Sequence, residues 1–350
     1  MTKKFDVVIG NPPYQEEAQG GGTRDTPIYH LFMDAAYEVG SKVVLITPAR
    51  FLFNAGFTPK AWNEKMLADE HLSVAYFESD SNHLFPGLAD PIKGGIAVTY
   101  RDSERKLGPI GFFARHPELN PILQKVRESG TAFIDGEVSS GRAYAFTRAM
   151  HEAYPDASNS MSTDAQFRVS TNAFEQLAFI FLEARPADGV EYIQLLGVVK
   201  NRRAYRWIRS DFIAGPESLH RYKVAVPAAN GSGSTTDFFG VELNNPTVLG
   251  PGVGVTQTFI TIGSFETETE AQACLSYIKS KFARAMLGVL KITQHNPRNT
   301  WKFVPTQDFS DTSDIDWTKT IPEIDAQLYA KYGLDGDESK FIEAYVKPML

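Results

Sequence analysis

Residues 5–15 read FDVVIGNPPYQ. An apolar run of strand character ends in an amide, two consecutive prolines and an aromatic ring. Proline has no N–H for a ladder and holds its own φ near −65°, and the second proline pushes the first away from helical angles. The strand must therefore stop at Asn11 and the chain must leave it extended. FDVVIG itself is a short continuous apolar run, the pattern of a strand buried on both faces. Further strands of the same kind are expected at KVVLITP (42–48), LSVAYFES (72–79) and GGIAVTYRD (94–102). Between them, TPIYHLFMDAAYEVG (26–40) places Ile28, Phe32, Ala35, Ala36 and Val39 at helical spacing, closed by Gly40. KAWNEKMLADE (60–70) is a second helix. Strands alternating with helices predict a parallel sheet with helices on its faces, whose binding site lies beyond the strand carboxyl ends. Asn11–Tyr14 occupy one such end.

The pattern changes after Pro109. Helices are expected at ARHPELNPILQKVRES (114–129), TNAFEQLAFIFLEA (171–184), TETEAQACLSYIKSKFARAML (267–287) and TIPEIDAQLYAKYGL (320–334). Between the first two lies a polar, turn-rich stretch. Short strands broken by glycine follow residue 190, in VEYIQLLGVV, YKVAVPAANGSGS and GVGVTQTFITIGSF. The reading is an α/β domain over residues 1–112 and an irregular α+β domain over 113–350.

The 350 residues suffice for two domains, and their 43% apolar and 22% charged content is that of an ordinary globular chain. Cys274 is the only cysteine, so no intrachain disulfide forms and a reducing compartment fits best. The basic start reaches prolines too soon for a signal peptide, and no run approaches the ~18 apolar residues of a membrane span. The net charge of −7 argues against wholesale coating of nucleic acid, while leaving room for a local basic stripe. Seven histidines are scattered with no metal-ligand spacing.

The Asn-Pro-Pro-Tyr tetrad suits one kind of chemistry. An exocyclic amine on adenine is a poor nucleophile because its lone pair is delocalised into the ring. A site that methylates it must accept hydrogen bonds from both N–H groups. Asn11 offers a side-chain carbonyl and Pro12 a main-chain carbonyl that Pro13 holds in one direction. Tyr14 offers a flat face on which an extruded base can stack, worth ~1–3 kcal/mol, once the target has left the duplex. Prolines also end ordinary strands; yet at a proline frequency of about 5%, such a tetrad arises by chance in roughly one chain in a hundred of this length.

On these residues the chain resembles the gamma-type N6-adenine DNA methyltransferases of bacterial restriction–modification systems, and most closely the fused methylases whose recognition domain follows the catalytic one. GNPPY (10–14) is similar to the catalytic motif, LITPARFL (45–52) to the strand and turn after it, and LFPGLADPIKGGIAVTYRD (84–102) to the segment with a second base-stacking aromatic. KVAVPAANGSGS, TQTFITIGSF, KFARAMLGVLKITQHNP, WKFVPTQDFS and IDAQLYAKYGL resemble recognition-domain stretches. The resemblance implies a partial Rossmann-like methyltransferase sheet with an α+β target-recognition domain. It implies catalytic roles for Asn11, Pro12, Pro13 and Tyr14, base stacking by Tyr14 and Tyr100, S-adenosylmethionine as methyl donor, double-stranded DNA as substrate and a bacterial cytoplasmic location. Asp6, at the start of the first strand, reads as a solvated carboxylate.

The family's glycine-rich cofactor turn, about Asp-Pro-x-x-Gly-x-Gly-x-Phe, stands ahead of the tetrad, and only nine residues precede Gly10 here. GPGVGV (250–255) leads into a β-rich run where a nucleotide loop should open a helix, and NGSGS (230–234) fails likewise. GGG (20–22) reads as a loop closing over the site or as a linker. The cofactor-binding residues are therefore not identified. The chain reads as a piece of a larger enzyme, as one product of a split gene whose partner polypeptide or upstream domain carries the cofactor half, or as a decayed enzyme. The alternative function is a non-catalytic DNA-specificity or partner-binding module.

Two stretches offer DNA contacts. In KNRRAYRWIRSD (200–211), Lys200, Arg202, Arg203, Arg206 and Arg209 are interleaved with Tyr205 and Trp207, suiting phosphate contact and stacking. Lys291, Gln294, His295, Asn296 and Arg298 form a second polar cluster with groups suited to base edges. Glu338-Ser339-Lys340 has the Glu-x-Lys spacing of metal-dependent nucleases but lacks the preceding strand, so no nuclease is expected in this chain.

Overall fold

The four apolar runs of the first hundred residues form one sheet. The computed structural model describes residues 4–16, 26–54, 57–87, 91–114, 116, 118–229, 243, 245–291 and 295–349, and the chain divides into two units, Met1–Pro117 and Glu118–Leu350. In the first, β1 (Phe5–Gly10) leads through the short strands β2 (Gln15–Glu16) and β3 (Thr26–Pro27) to α1 (Tyr29–Val39) and β4 (Gly40–Pro48). Then come α2 (Lys60–Ala68), β5 (Leu72–Glu78), α3 (Ser81–Leu84) and β6 (Ile96–Asp102).

The sheet order is β1-β4-β6-β5. β1 and β4 run parallel, with Gly10 beside Leu45. β6 runs antiparallel to both neighbours, so the sheet is mixed and not parallel as its alternation predicts. The four residues of α3 rise only about 6 Å, whereas the seven of β5 span roughly 23 Å. Such a helix does not by itself span the sheet. The chain re-enters from the end it left, and Gly95 in that turn has φ 79°. A Cβ on Gly95 would lie 2.3 Å from the Glu78 carbonyl oxygen, so only glycine fits.

Two burial expectations are corrected. β1 is an outer strand of this sheet, and Phe5, Val7 and Ile9 are 57%, 53% and 76% exposed, not buried on both faces. α1 turns Tyr29, Met33 and Tyr37 to the core and leaves Leu31 and Phe32 exposed. The three large side chains repeat at i, i+4, i+8, which is also a helical face, and they fill more volume than the Ala35/Ala36 stripe. Phe113 meets Phe53 and Phe77 edge-on at 5.9 and 5.2 Å, so the first unit continues past residue 112.

The second unit contains α4 (Leu119–Glu128), β7 (Ala145–Phe146), α5 (Arg148–Ala153), α6 (Ala173–Gln176), β8 (Tyr192–Val199), β9 (Arg202–Arg209) and β10 (Ile213–Ala214). It continues with β11 (Tyr222–Pro227), β12 (Thr247–Leu249), β13 (Val253–Val255), β14 (Phe259–Phe265), α7 (Glu268–Lys279), α8 (Lys281–Gly288), α9 (Ile321–Lys331) and α10 (Gly336–Tyr345). Two three-stranded sheets, β12-β11-β14 and β13-β8-β9, frame it. Phe146, Phe174, Phe181, Leu195, Ile208 and Phe259 are among its buried core, and α7 lies against β11 and β14.

Two expected helices differ. Within 171–184 only α6 forms; Leu182 instead exchanges two backbone hydrogen bonds of 2.8 Å with Trp207. The apolar spacing is met by turns because Leu182 must reach β9. The run 267–287 breaks at Ser280, whose Oγ accepts the Ala283 N–H at 3.1 Å. The buried Asp325 carboxylate accepts from the Lys281 and Phe282 N–H groups at 3.0 and 2.9 Å, and together these caps start α8 in a new direction.

Candidate functional site

Asn11–Tyr14 leave the carboxyl end of β1 directly beyond Gly10. The Gly10–Leu45 register fixes the tetrad on one side. On the other, β2 and β3 pair antiparallel, Gln15 with Pro27 and Glu16 with Thr26, and the Tyr14 carbonyl accepts the Ile28 N–H at 3.1 Å. Asn11 and Pro13 are exposed, while Pro12 and Tyr14 are half-buried. Asn11 is thus accessible to solvent, with its side chain close to the Tyr14 hydroxyl.

The Tyr14 hydroxyl is buried and makes no hydrogen bond of ordinary geometry. Burial pushes its pKa above the usual tyrosine value, and the nearby Asn11 side chain partly offsets this. The first unit also holds an aromatic cluster that the sequence reading missed. Phe51 lies 5.4 Å from Trp62 and 6.4 Å from Tyr29, ring to ring, and the Trp62 indole donates to Asp34 at 2.9 Å. These residues come from three separate elements with no common spacing, so no periodicity marks them.

Tyr100 is set apart from the tetrad. It pairs with Val44, which pairs with Ile9, so it stands two strands over, about 10 Å away, and at a level before Asn11. Its hydroxyl donates to Asp102 at 2.9 Å, toward the opposite end of the sheet. The structure does not bring Tyr100 and Tyr14 together as two walls.

In the second unit, β8 and β9 form a hairpin whose turn is Lys200-Asn201. Lys200, Arg202, Arg203 and Tyr205 are exposed. Farther down, Arg206 bonds Glu183 at 2.9 Å, and Arg209 takes Asp211 in a two-pronged pair at 3.0 and 2.7 Å. Arg203 lies over Phe259 at 5.2 Å and Arg185 over Trp207 at 5.6 Å. The stripe exists, and several of its cations are engaged inside the protein.

The second polar cluster is only partly at the surface: His295 and Arg298 are exposed. Lys291 and Asn296 are 5% and 1% exposed. The Lys291 ammonium donates to the Asn296 side-chain oxygen, and the Asn296 amide donates to the Pro227 carbonyl at 2.8 Å. They are an internal strut at the end of β11, and burial lowers the Lys291 pKa to about 8. Arg298 donates to the Asp135 carbonyl at 2.6 Å. Gln294, NGSGS and GGG lie outside the described residues. Glu338 accepts from Lys125 at 2.5 Å and its N–H is capped by Asp335, a structural use of the Glu-x-Lys triplet.

Gly252, with φ 76°, turns the chain into β13, a strand parallel to β8. A phosphate-cradling turn should open a helix instead, so the GPGVGV stretch does not fit a nucleotide cofactor, and no glycine-rich turn opening a helix beside β1 is found among the described residues. Among those residues no His/Cys/Asp/Glu cluster suits a metal, and no helix is long and apolar enough to cross a membrane.

A family model described as Eco57I restriction-modification methylase matches residues 1–85, a span that includes β1, the tetrad, α1, β4 and β5. No curated protein matches the chain. Among solved structures, the chain is similar to the type IIG restriction endonuclease BpuSI at 10% identity and a TM-score of 0.31, covering 93% of this chain and 48% of that one. It is also similar to the type IIL restriction-modification enzyme MmeI, solved in complex with DNA, at 8% identity and a TM-score of 0.38, covering 97% of this chain and 56% of that one. The chain spans about half the length of each.

Proposed function

We propose that this chain is the base-handling part of a site-specific DNA adenine-N6 methyltransferase of a restriction–modification system. The observation that carries the reading is the placement of Asn11 and Pro12: two acceptors at the carboxyl end of β1, outside the sheet, with Asn11 exposed. The methylase family match over this segment agrees with it. In this mechanism the Asn11 Oδ1 and the Pro12 carbonyl accept the two amino hydrogens of an extruded adenine. This draws N6 toward tetrahedral geometry and aims its lone pair outward, while the Tyr14 ring stacks on the base.

The family's methyl donor is S-adenosylmethionine. The described residues do not form its cradle, so no step here is routed through it; in this reading the donor's core site is supplied by another segment or polypeptide. In this reading the first unit, the 1–112 domain carried on to Pro117, serves the chemistry and the second unit the recognition of duplex DNA, through the β9 stripe in place of the buried Lys291–Asn296 pair. The second reading is a non-catalytic DNA-specificity or partner-binding module. A methylation assay with and without a cofactor-binding partner separates them. The isolated chain is expected to bind S-adenosylmethionine weakly and turn over little DNA; restored methylation on adding a cofactor-binding partner supports the enzyme reading, and its absence supports the module.

A further inference from the structure

We propose that the turn Lys200-Asn201, with Arg202 beside it, is a base-reading tip that enters the major groove of duplex DNA. The inference rests on the DNA partner proposed above and names the residues that read it.

Lys200 and Asn201 take φ of 47° and 60°. Two consecutive left-handed residues make the tight hairpin turn whose twist matches its strands, a place that glycine and asparagine fill most readily. Lysine at the first position is disfavoured, because its Cβ crowds the following carbonyl. The turn is nonetheless held. The Lys200 N–H donates to Glu175 Oε1 at 2.9 Å. Gly197, three residues earlier, packs so closely that a Cβ would lie 2.6 Å from the Phe174 ring. Phe174 and Glu175 are neighbours on α6, so one short helix clamps the ribbon near its tip and fixes the tip's direction.

What the clamp presents is exposed: Lys200, Asn201 and Arg202 in a row, while the Arg203 guanidinium lies over Phe259. Arg206 and Arg209 bond Glu183 and Asp211, so their forks are occupied and their charge acts at longer range. A two-stranded ribbon fits the major groove, about 12 Å wide, and asparagine, arginine and lysine pair with adenine and guanine edges there. Lys200 and Arg202 make the tip positive on a chain of net charge −7, which suits a polyanion at this place.

The test selects duplexes from a randomised pool with the full chain and then sequences them. Asn201→Gly keeps the left-handed turn and the charge while removing the amide, and Arg202→Gln removes one fork. Wild type is expected to enrich a motif. Each variant is expected to lose about tenfold or more in preference at one or two base positions. For Asn201→Gly, affinity for scrambled duplex and its salt slope stay within about twofold, since no phosphate contact is lost. Equal thermal midpoints show that the hairpin remains folded. A wild-type motif unchanged in both variants overturns the tip and leaves DNA recognition standing. Wild-type binding without base preference also overturns it. No duplex binding by wild type at low salt removes the DNA partner, and the tip with it.

Discussion

Ile28 donates its backbone N–H to the carbonyl of Tyr14 at 3.1 Å, joining the end of the tetrad to the residue before α1. α1 is itself pinned: Tyr29 meets Trp62 edge-on at 6.3 Å, and Asp34 accepts from the Trp62 indole. Asn11 and Pro12 therefore stand between a strand register and a packed helix, and their acceptors are positioned by both. Such fixed placement is what hydrogen-bond catalysis needs, because the groups then cost no reorganisation when charge develops.

Asn11→Ala removes one acceptor from the proposed site. Transfer of labelled methyl groups to duplex DNA, with the cofactor-binding partner present, is expected to fall about 10²–10³-fold, the usual effect of losing one such group. DNA affinity is expected to stay within about twofold. Asn11→Asp keeps an acceptor and is expected to retain more activity than Asn11→Ala. Undiminished transfer by Asn11→Ala would remove the residue from the mechanism.

Tyr14 allows the ring and the hydroxyl to be separated. Its hydroxyl is buried, with the Asn11 side chain as its one polar neighbour, so Tyr14→Phe removes a polar group that burial penalises and is expected to change stability by less than about 1 kcal/mol. Tyr14→Ala removes the stacking face, worth ~1–3 kcal/mol, and is expected to weaken the productive complex about tenfold or more. Loss of activity in Tyr14→Phe equal to that of Tyr14→Ala would move the function from ring to hydroxyl.

Asp325 predicts a pH dependence. Burial raises its pKa from 3.8 to about 6, with Glu343 adding to the rise, while the Phe282 and Lys281 N–H groups and Arg284 oppose it. The folded state holds this proton more tightly than the unfolded chain. Its contribution is therefore full below pH 3.8 and is lost as pH rises through about 6. Urea unfolding between pH 4 and 7 is expected to show the stability of wild type relative to Asp325→Asn falling over that window. A constant difference between the two would refute the titration.

Lys223 is fully buried, and its ammonium donates to the carbonyls of Leu219, Arg221 and Gly250 at 3.2, 2.9 and 3.0 Å. Lys223→Met preserves the stem and leaves three acceptors without their donor. Unfolding free energy is expected to drop by about 2–4 kcal/mol, since unpaired buried polar groups bear the full desolvation penalty. A loss near zero would show that water replaces the ammonium.

The strands of the first unit were legible because each is an apolar run ended by proline, glycine or charge: β4 ends at Pro48, and the expected 42–48 and 72–79 lie within a residue or two of the strands found. Direction was not legible. The antiparallel course of β6 goes with the turn at Gly95, whose crowding by Glu78 exists only once both are folded. In the second unit, Leu182 left its helical pattern to pair with Trp207, a partner 25 positions away that no local window contains. Lys291 and Asn296 had the composition of a DNA-reading pair, and only the fold turned them inward onto Pro227.

The chain's own letters determined where strands must stop and which groups stand at the stop: Asn-Pro-Pro-Tyr ends β1 because proline lacks the donor a ladder requires and restricts the residue before it. That is a local rule, acting over two or three residues. Tertiary structure alone decided which polar side chains meet solvent, which aromatic rings meet in the first unit and which cations are already paired. Burial and pairing depend on groups brought together from distant positions, and residue order by itself does not specify those distances.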